Sequence, residues 1–199
     1  MFPVNVPNVL TLLRILLVPV LVVALLGETP NGDLWAAIVF AAASLTDMLD
    51  GYLARSRNAI TTFGKLMDPI ADKLLIVAAL VALVSLGRVA AWVAMVIIAR
   101  EFAVTALRMA ATSQGVVISA SFFGKLKTCF QIAMVMALIL ADGALWVDLL
   151  VYATVAVTVA SGADYFFGLR RTLGARDRAR AAAGRTSLQA SSSDGVASR

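Results

Sequence analysis

Six apolar runs, at about 9–27, 34–55, 63–86, 90–111, 124–141 and 145–167, take up nearly all of the first 167 residues. Each approaches the roughly 20 residues that an α-helix needs to cross the hydrocarbon core of a bilayer. Of the 199 residues, 61% are hydrophobic, against about 45–50% in soluble domains, so one water-solvated core explains the chain poorly. The sequence predicts an all-α integral membrane protein with six transmembrane helices forming one catalytic domain over 1–167. Pro3 and Pro7 place an interfacial segment before the first helix. Because the start lacks a basic region and a small-residue cleavage site, it reads as a retained helix. Pro69 costs little if the third helix opens near Gly64 and imposes a kink if it opens earlier. From Gly168 the composition turns basic and then Ser/Gly/Ala-rich, which predicts a disordered tail over 168–199.

Composition removes several chemistries. A single cysteine, Cys129, leaves no internal disulfide and no cysteine-based metal site. There is no histidine, which excludes imidazole proton relays and HExxH zinc chemistry. Carboxylates must carry any acid–base or metal work. The net charge of +5 could suit nucleic acid, but the placement of the charges fits a membrane surface and no nucleic-acid partner. Arg55 and Arg57 precede the third run, and Arg170, Arg171, Arg176, Arg178 and Arg180 follow the sixth. The opposite loops hold Glu28, Asp33, Asp142 and Asp148, with Arg88 the one basic residue. Positive charge stays on the cytoplasmic side, so both termini are expected there, as an even number of crossings requires. The basic tail fixes topology on this reading; contact with anionic lipid headgroups is the sharper alternative.

Ionisable groups within spanning segments are expensive and mark function by default. Here they are Asp47, Asp50, Asp68, Asp72, Arg100, Glu101, Arg108, Lys125 and Lys127, with Arg14 and Asp164 near the ends of the first and sixth runs. Under the topology above, nearly all converge on the cytoplasmic leaflet. Asp47 and Asp50 are three apart and Asp68 and Asp72 four apart, so each pair shares a helix face. Four packed carboxylates repel unless cations intervene. Oxygen-only ligands favour Mg²⁺ or Mn²⁺. The blander reading pairs these acids with Arg55, Arg57, Lys65 and Lys73. Gly51 and Gly64 serve either close helix packing or space for a flat or phosphorylated ligand. Arg55, one turn beyond Gly51, could grip a pyrophosphate.

In order, these residues read Asp47-x2-Asp50-Gly51-x2-Ala54-Arg55-x8-Gly64-x3-Asp68-x3-Asp72. That resembles the signature of the CDP-alcohol phosphotransferases at all eight fixed positions. The flanking segments 5–14, 44–56, 68–75, 99–108 and 124–128 are similar to the bacterial branch that uses CDP-diacylglycerol and glycerol 3-phosphate. The resemblance implies the CDP-alcohol phosphotransferase fold, a homodimer in the inner membrane, and two divalent metal ions. It implies that Asp47, Asp50, Asp68 and Asp72 ligate metal, that Asp72 is also the general base, and that Gly51, Ala54, Arg55 and Gly64 contact the CDP part of the donor.

A phosphorylated acceptor needs a second cationic site. Arg100, Arg108, Lys125 and Lys127 are expected to hold the acceptor phosphate, although Lys125 and Lys127, two apart, cannot share a helix face and one could snorkel to headgroups. Arg100 could instead be balanced by Glu101. Trp92 and Trp146 fit an interfacial belt with membrane lipids. Other acceptors (inositol phosphate, phosphatidylglycerol, serine) remain open alternatives, with serine disfavoured by the basic cluster. A divalent-cation transporter is disfavoured because the outer halves of the helices are apolar.

Overall fold

The structure, a computed structural model, describes residues 6–27, 29–57, 62–113 and 122–197, with side chains described over 12–27, 29–46, 73–113 and 124–172 and at 174. Among the described residues the chain is all-α. Its elements are α1 (Val6–Leu26), α2 (Gly32–Arg57), α3 (Thr62–Ser85), α4 (Ala91–Ser113), α5 (Phe122–Leu140) and α6 (Leu145–Ala197). Each of the six apolar runs has become one helix, with starts and most ends within about three residues of the apolar boundaries, as expected where hydrophobicity alone sets helix length. Two differences stand out. α1 opens at Val6, so Pro7 lies in its first turn, where the missing amide costs little; residues 1–5, the core of the expected interfacial segment, lie outside the described residues. α6 does not stop near Gly168 but continues to Ala197. The expected disorder rested on charge and small residues, yet alanine and arginine are among the strongest helix formers. α3 opens at Thr62, which places Pro69 past its first turn.

α1 packs on α2 and α3, α5 on α6 and α2, and α4 on α6 and α3. The connections between α3 and α4 and between α5 and α6 are short, at 86–90 and 141–144. At the end of α3, Gly87 adopts φ 73°; its amide donates to the Val84 carbonyl and the Arg88 amide to the Leu83 carbonyl. This two-bond cap needs a left-handed residue, which glycine supplies without strain. It delivers Arg88 to a junction of three connections. One guanidinium nitrogen donates to Asp33 at 2.8 Å, another donates to the Ile139 carbonyl at 3.1 Å, and the Asp142 carboxylate lies 3.9 Å away. The Asp33 hydrogen bond raises the Arg88 pKa against the opposing effect of burial. Arg88 and the two acids, expected on one face of the membrane, are therefore gathered at one end of the bundle.

That end is also where the apolar core lies. Leu21, Phe40, Leu80, Leu83, Ile97, Met134 and Leu138 are completely or almost completely buried. Alanines 36, 37, 43, 79, 94 and 137 lie among them and let the helices approach closely, as small residues do in membrane bundles. Polar character is reversed relative to a water-soluble fold. Large apolar side chains face outward on all six helices, including Val23 at 70%, Met95 at 67%, Leu145 at 82% and Leu149 at 69% exposure, while Arg14, Glu101, Lys127 and Gln131 are buried. An apolar exterior around a charged interior is the distribution lipid solvation selects. Among the described residues, the stretch Leu145–Thr172 of α6 is long and apolar enough by itself to cross a membrane. Within the described side chains, apolar stretches of α1, α2 and α3 run over Leu12–Leu26, Gly32–Thr46 and Lys73–Ser85.

Candidate active site

α2 carries Asp47, Asp50, Gly51, Ala54 and Arg55 in its last three turns, and α3 carries Gly64, Asp68 and Asp72 in its first three. Continuous helix through these positions preserves the spacing that sets each acid pair on one face, and the two helices touch each other. The side chains of these eight signature residues, and with them the metal-ligand, base and CDP-contact expectations, lie outside the described residues. Among the described residues no group of three or more potential metal ligands gathers; the signature acids are not part of that set. As a donor set they fit hard divalent cations, being all oxygen and arranged as one pair on each of two touching helices.

Next to the signature in sequence, Ser44 on α2 and Lys73 on α3 line a cavity of about 350 Å³. It opens at the end of the bundle opposite Arg88, where α1, α2, α3, α4, α5 and α6 all contribute lining residues. Arg100, Arg108, Lys125 and Lys127, the four residues expected to hold the acceptor phosphate, all line it, joined by Arg14 and Lys73. Among the described residues the one acid in the lining is Glu101. A cavity of this size with such an excess of positive charge is suited to a small polyanion, since clustered cationic donors form charge-assisted bonds to phosphoryl oxygens.

The four cations are not equivalent. Lys127 is buried at 5% exposure and donates to Glu101 Oε1. Glu101, itself 4% exposed, also lies 3.4 Å from the Lys73 ammonium and 3.7 Å from the Arg100 guanidinium. The balancing of Arg100 by Glu101 is thus present, but the acid is shared three ways. Arg100 also donates to the Ser161 hydroxyl at 2.6 Å. Its side-chain stem rests against α6 at Gly162, where an added Cβ would lie in ordinary contact 3.4 Å from Arg100 Cγ. Arg108 and Lys125 are exposed, and the Arg108 guanidinium lies 5.7 Å over the Tyr165 ring, a cation–π distance that aims it. Lys125 and Lys127, expected on different faces, both reach the cavity. Lys127 faces the interior, and Lys125 comes to the same space from the exposed side, within the reach of a four-carbon stem.

Three lining residues had no motif to announce them. Gln131 is one turn beyond Lys127, and Tyr165 one turn beyond Ser161, so their one signal was a polar group four residues from another polar group in an apolar helix. Gln131 Nε2, the Tyr165 hydroxyl and Arg100 Nε are buried with no hydrogen-bond partner among the described residues. Buried donors without partners carry a desolvation cost of about 1–3 kcal/mol each, and a polar ligand in the cavity would satisfy them.

The family model for CDP-alcohol phosphatidyltransferase matches residues 4–160, which includes the signature and most of the cavity wall. A Bacillus subtilis protein named CDP-diacylglycerol–glycerol-3-phosphate 3-phosphatidyltransferase is 44% identical, over 81% of this chain and 93% of its own length. A Rickettsia felis protein of the same name is 36% identical over 81% of this chain and 93% of its own length. A match spanning both acid-bearing helices and the basic cavity, together with relatives aligned over nearly their whole length, is sufficient: the chain belongs to the CDP-alcohol phosphatidyltransferase family.

Proposed function

We propose that this membrane enzyme transfers the phosphatidyl group of CDP-diacylglycerol to sn-glycerol 3-phosphate, giving phosphatidylglycerophosphate and CMP in phospholipid biosynthesis. The observation that carries the reading is the cationic cavity beside the signature helices, with Arg100, Arg108, Lys125 and Lys127 in its wall. A phosphorylated acceptor has a use for that charge, and serine does not. The names of the relatives specify the same donor and acceptor.

In the proposed mechanism the six helices each cross the inner membrane, with both termini and the cavity on the cytoplasmic side. The all-round apolar exterior supports six crossings, and the gathering of Arg88, Asp33 and Asp142 at one end supports alternate helix directions. The donor keeps its acyl chains in the inner leaflet while Gly51, Ala54, Arg55 and Gly64 take its CDP part. Asp47, Asp50, Asp68 and Asp72 would hold two Mg²⁺ or Mn²⁺ ions, whose chemistry when bound is to neutralise charge on the pyrophosphate and on departing CMP. Asp72 accepts the proton of the acceptor's primary hydroxyl. That oxygen forms a bond to the lipid-linked phosphorus as the bond from phosphorus to the bridging oxygen breaks, and CMP leaves with the electron pair. The cations of the cavity orient the acceptor by its phosphate, which converts an encounter into a held geometry. The homodimer implied by the signature belongs to the same proposal.

The test is CMP release by the purified protein from CDP-diacylglycerol, with Mg²⁺ or Mn²⁺ and a panel of acceptors. Release with glycerol 3-phosphate, and not with serine, inositol phosphate or phosphatidylglycerol, is the expected result. Release with another member of the panel alone would overturn the acceptor assignment while leaving the family chemistry intact.

A further inference from the structure

The cavity is charged differently at its floor and at its mouth. At the floor the buried Glu101 carboxylate gathers cations from three helices: Lys127 from α5, Lys73 from α3 at 3.4 Å and Arg100 from its own α4 at 3.7 Å. At the mouth Arg108 and Lys125 are exposed, with Arg108 seated over Tyr165. Three donors arranged around one carboxylate have the makings of a phosphate site, because lysine and arginine bind carboxylate and phosphoryl oxygens with the same geometry. In this chain a side chain of the protein already occupies that point.

We infer that Glu101 is a positioning residue, an internal anion that fills the deep cation cluster and confines the acceptor's phosphate to Arg108 and Lys125 at the mouth. The inference rests on the proposed acceptor. A phosphate drawn to the floor would sit deeper than Arg108 and Lys125 and shift the acceptor's hydroxyl from the place it takes when its phosphate is held at the mouth. Binding there is tight but nonproductive. Glu101 also keeps the buried lysine compensated, since removing one partner of a buried ion pair strands the other charge. A purely structural carboxylate would do that second task alone. The two roles separate because only an anion plug, once removed, leaves a better phosphate site behind.

The experiment replaces Glu101 with alanine, which vacates the carboxylate's space, and measures inorganic phosphate binding to the purified full-length protein by calorimetry. Phosphate is expected to bind Glu101→Ala at least about tenfold more tightly than the parent, the scale of one charge-assisted contact. It is also expected to raise the melting temperature of that variant more than that of the parent, because it stabilises the form it binds. In turnover, kcat and KM for glycerol 3-phosphate should fall together, the signature of nonproductive binding, while KM for the lipid donor stays within about twofold. Glu101→Gln, neutral but still filling the space, should bind phosphate with intermediate strength, and it carries the calorimetric test if the alanine variant does not accumulate. Phosphate affinity equal to or weaker than that of the parent in these variants would overturn the inference. If the parent does not use glycerol 3-phosphate at all, the proposed function fails instead, and the calorimetric comparison still decides whether Glu101 excludes anions from the floor.

Discussion

Replacing Asp72 with asparagine is expected to lower turnover by about 10³-fold, within the range general-base catalysis supplies, while CDP-diacylglycerol still binds. Asparagine keeps the size of the side chain, its place in the first three turns of α3, and one carbonyl oxygen that can still face a cation. It cannot accept the acceptor's proton. The loss therefore falls on the chemical step, and kcat should drop with little change in donor KM, as when a transition-state interaction is removed. Steady-state CMP release at saturating substrates, together with equilibrium binding of the donor, checks both halves. Turnover close to that of the parent would remove Asp72 as the base.

The second large effect is expected at Arg108. Its guanidinium stands at the cavity mouth, aimed by the Tyr165 ring 5.7 Å below it. Arg108→Ala should lower kcat/KM for glycerol 3-phosphate by about 10–100-fold, the loss of one hydrogen-bonded contact to a charged group. KM for the lipid donor should remain nearly constant. Arg108→Lys should recover only part of the loss, because an ammonium lacks both the planar fork for a phosphate and the stacking surface for tyrosine. Acceptor titrations at fixed donor make the measurement; an unchanged acceptor KM in the alanine variant would contradict the assignment.

The helices were legible because long apolar runs bounded by polar residues favour the element that satisfies its own backbone. The run read as 34–55 became Gly32–Arg57, and that read as 63–86 became Thr62–Ser85. Beyond Gly168 the apolar run ends, while α6 continues as helix to Ala197, through a stretch that includes alanines and arginines, which favour helix. In the site, individual costly charges were legible one by one, and Arg100, Arg108, Lys125 and Lys127 do share a cavity. Their division of labour was not. Glu101 is adjacent to Arg100 in the chain, but its contacts with Lys73 and Lys127 depend on how α3, α4 and α5 pack, and no spacing encodes that. Gln131, Ser161 and Tyr165 were missed for a related reason. A lone polar residue in an apolar helix says that it needs a partner, without saying which helix supplies one.

The account depends most on acids of α2 and α3 holding divalent cations at the reacting phosphates. The direct measurement is CMP release from CDP-diacylglycerol and glycerol 3-phosphate after the protein has been stripped with a chelator, and again after Mg²⁺ or Mn²⁺ is restored. Release is predicted to fall to background in chelator and to return with either ion. Undiminished release in the stripped protein would contradict the central claim.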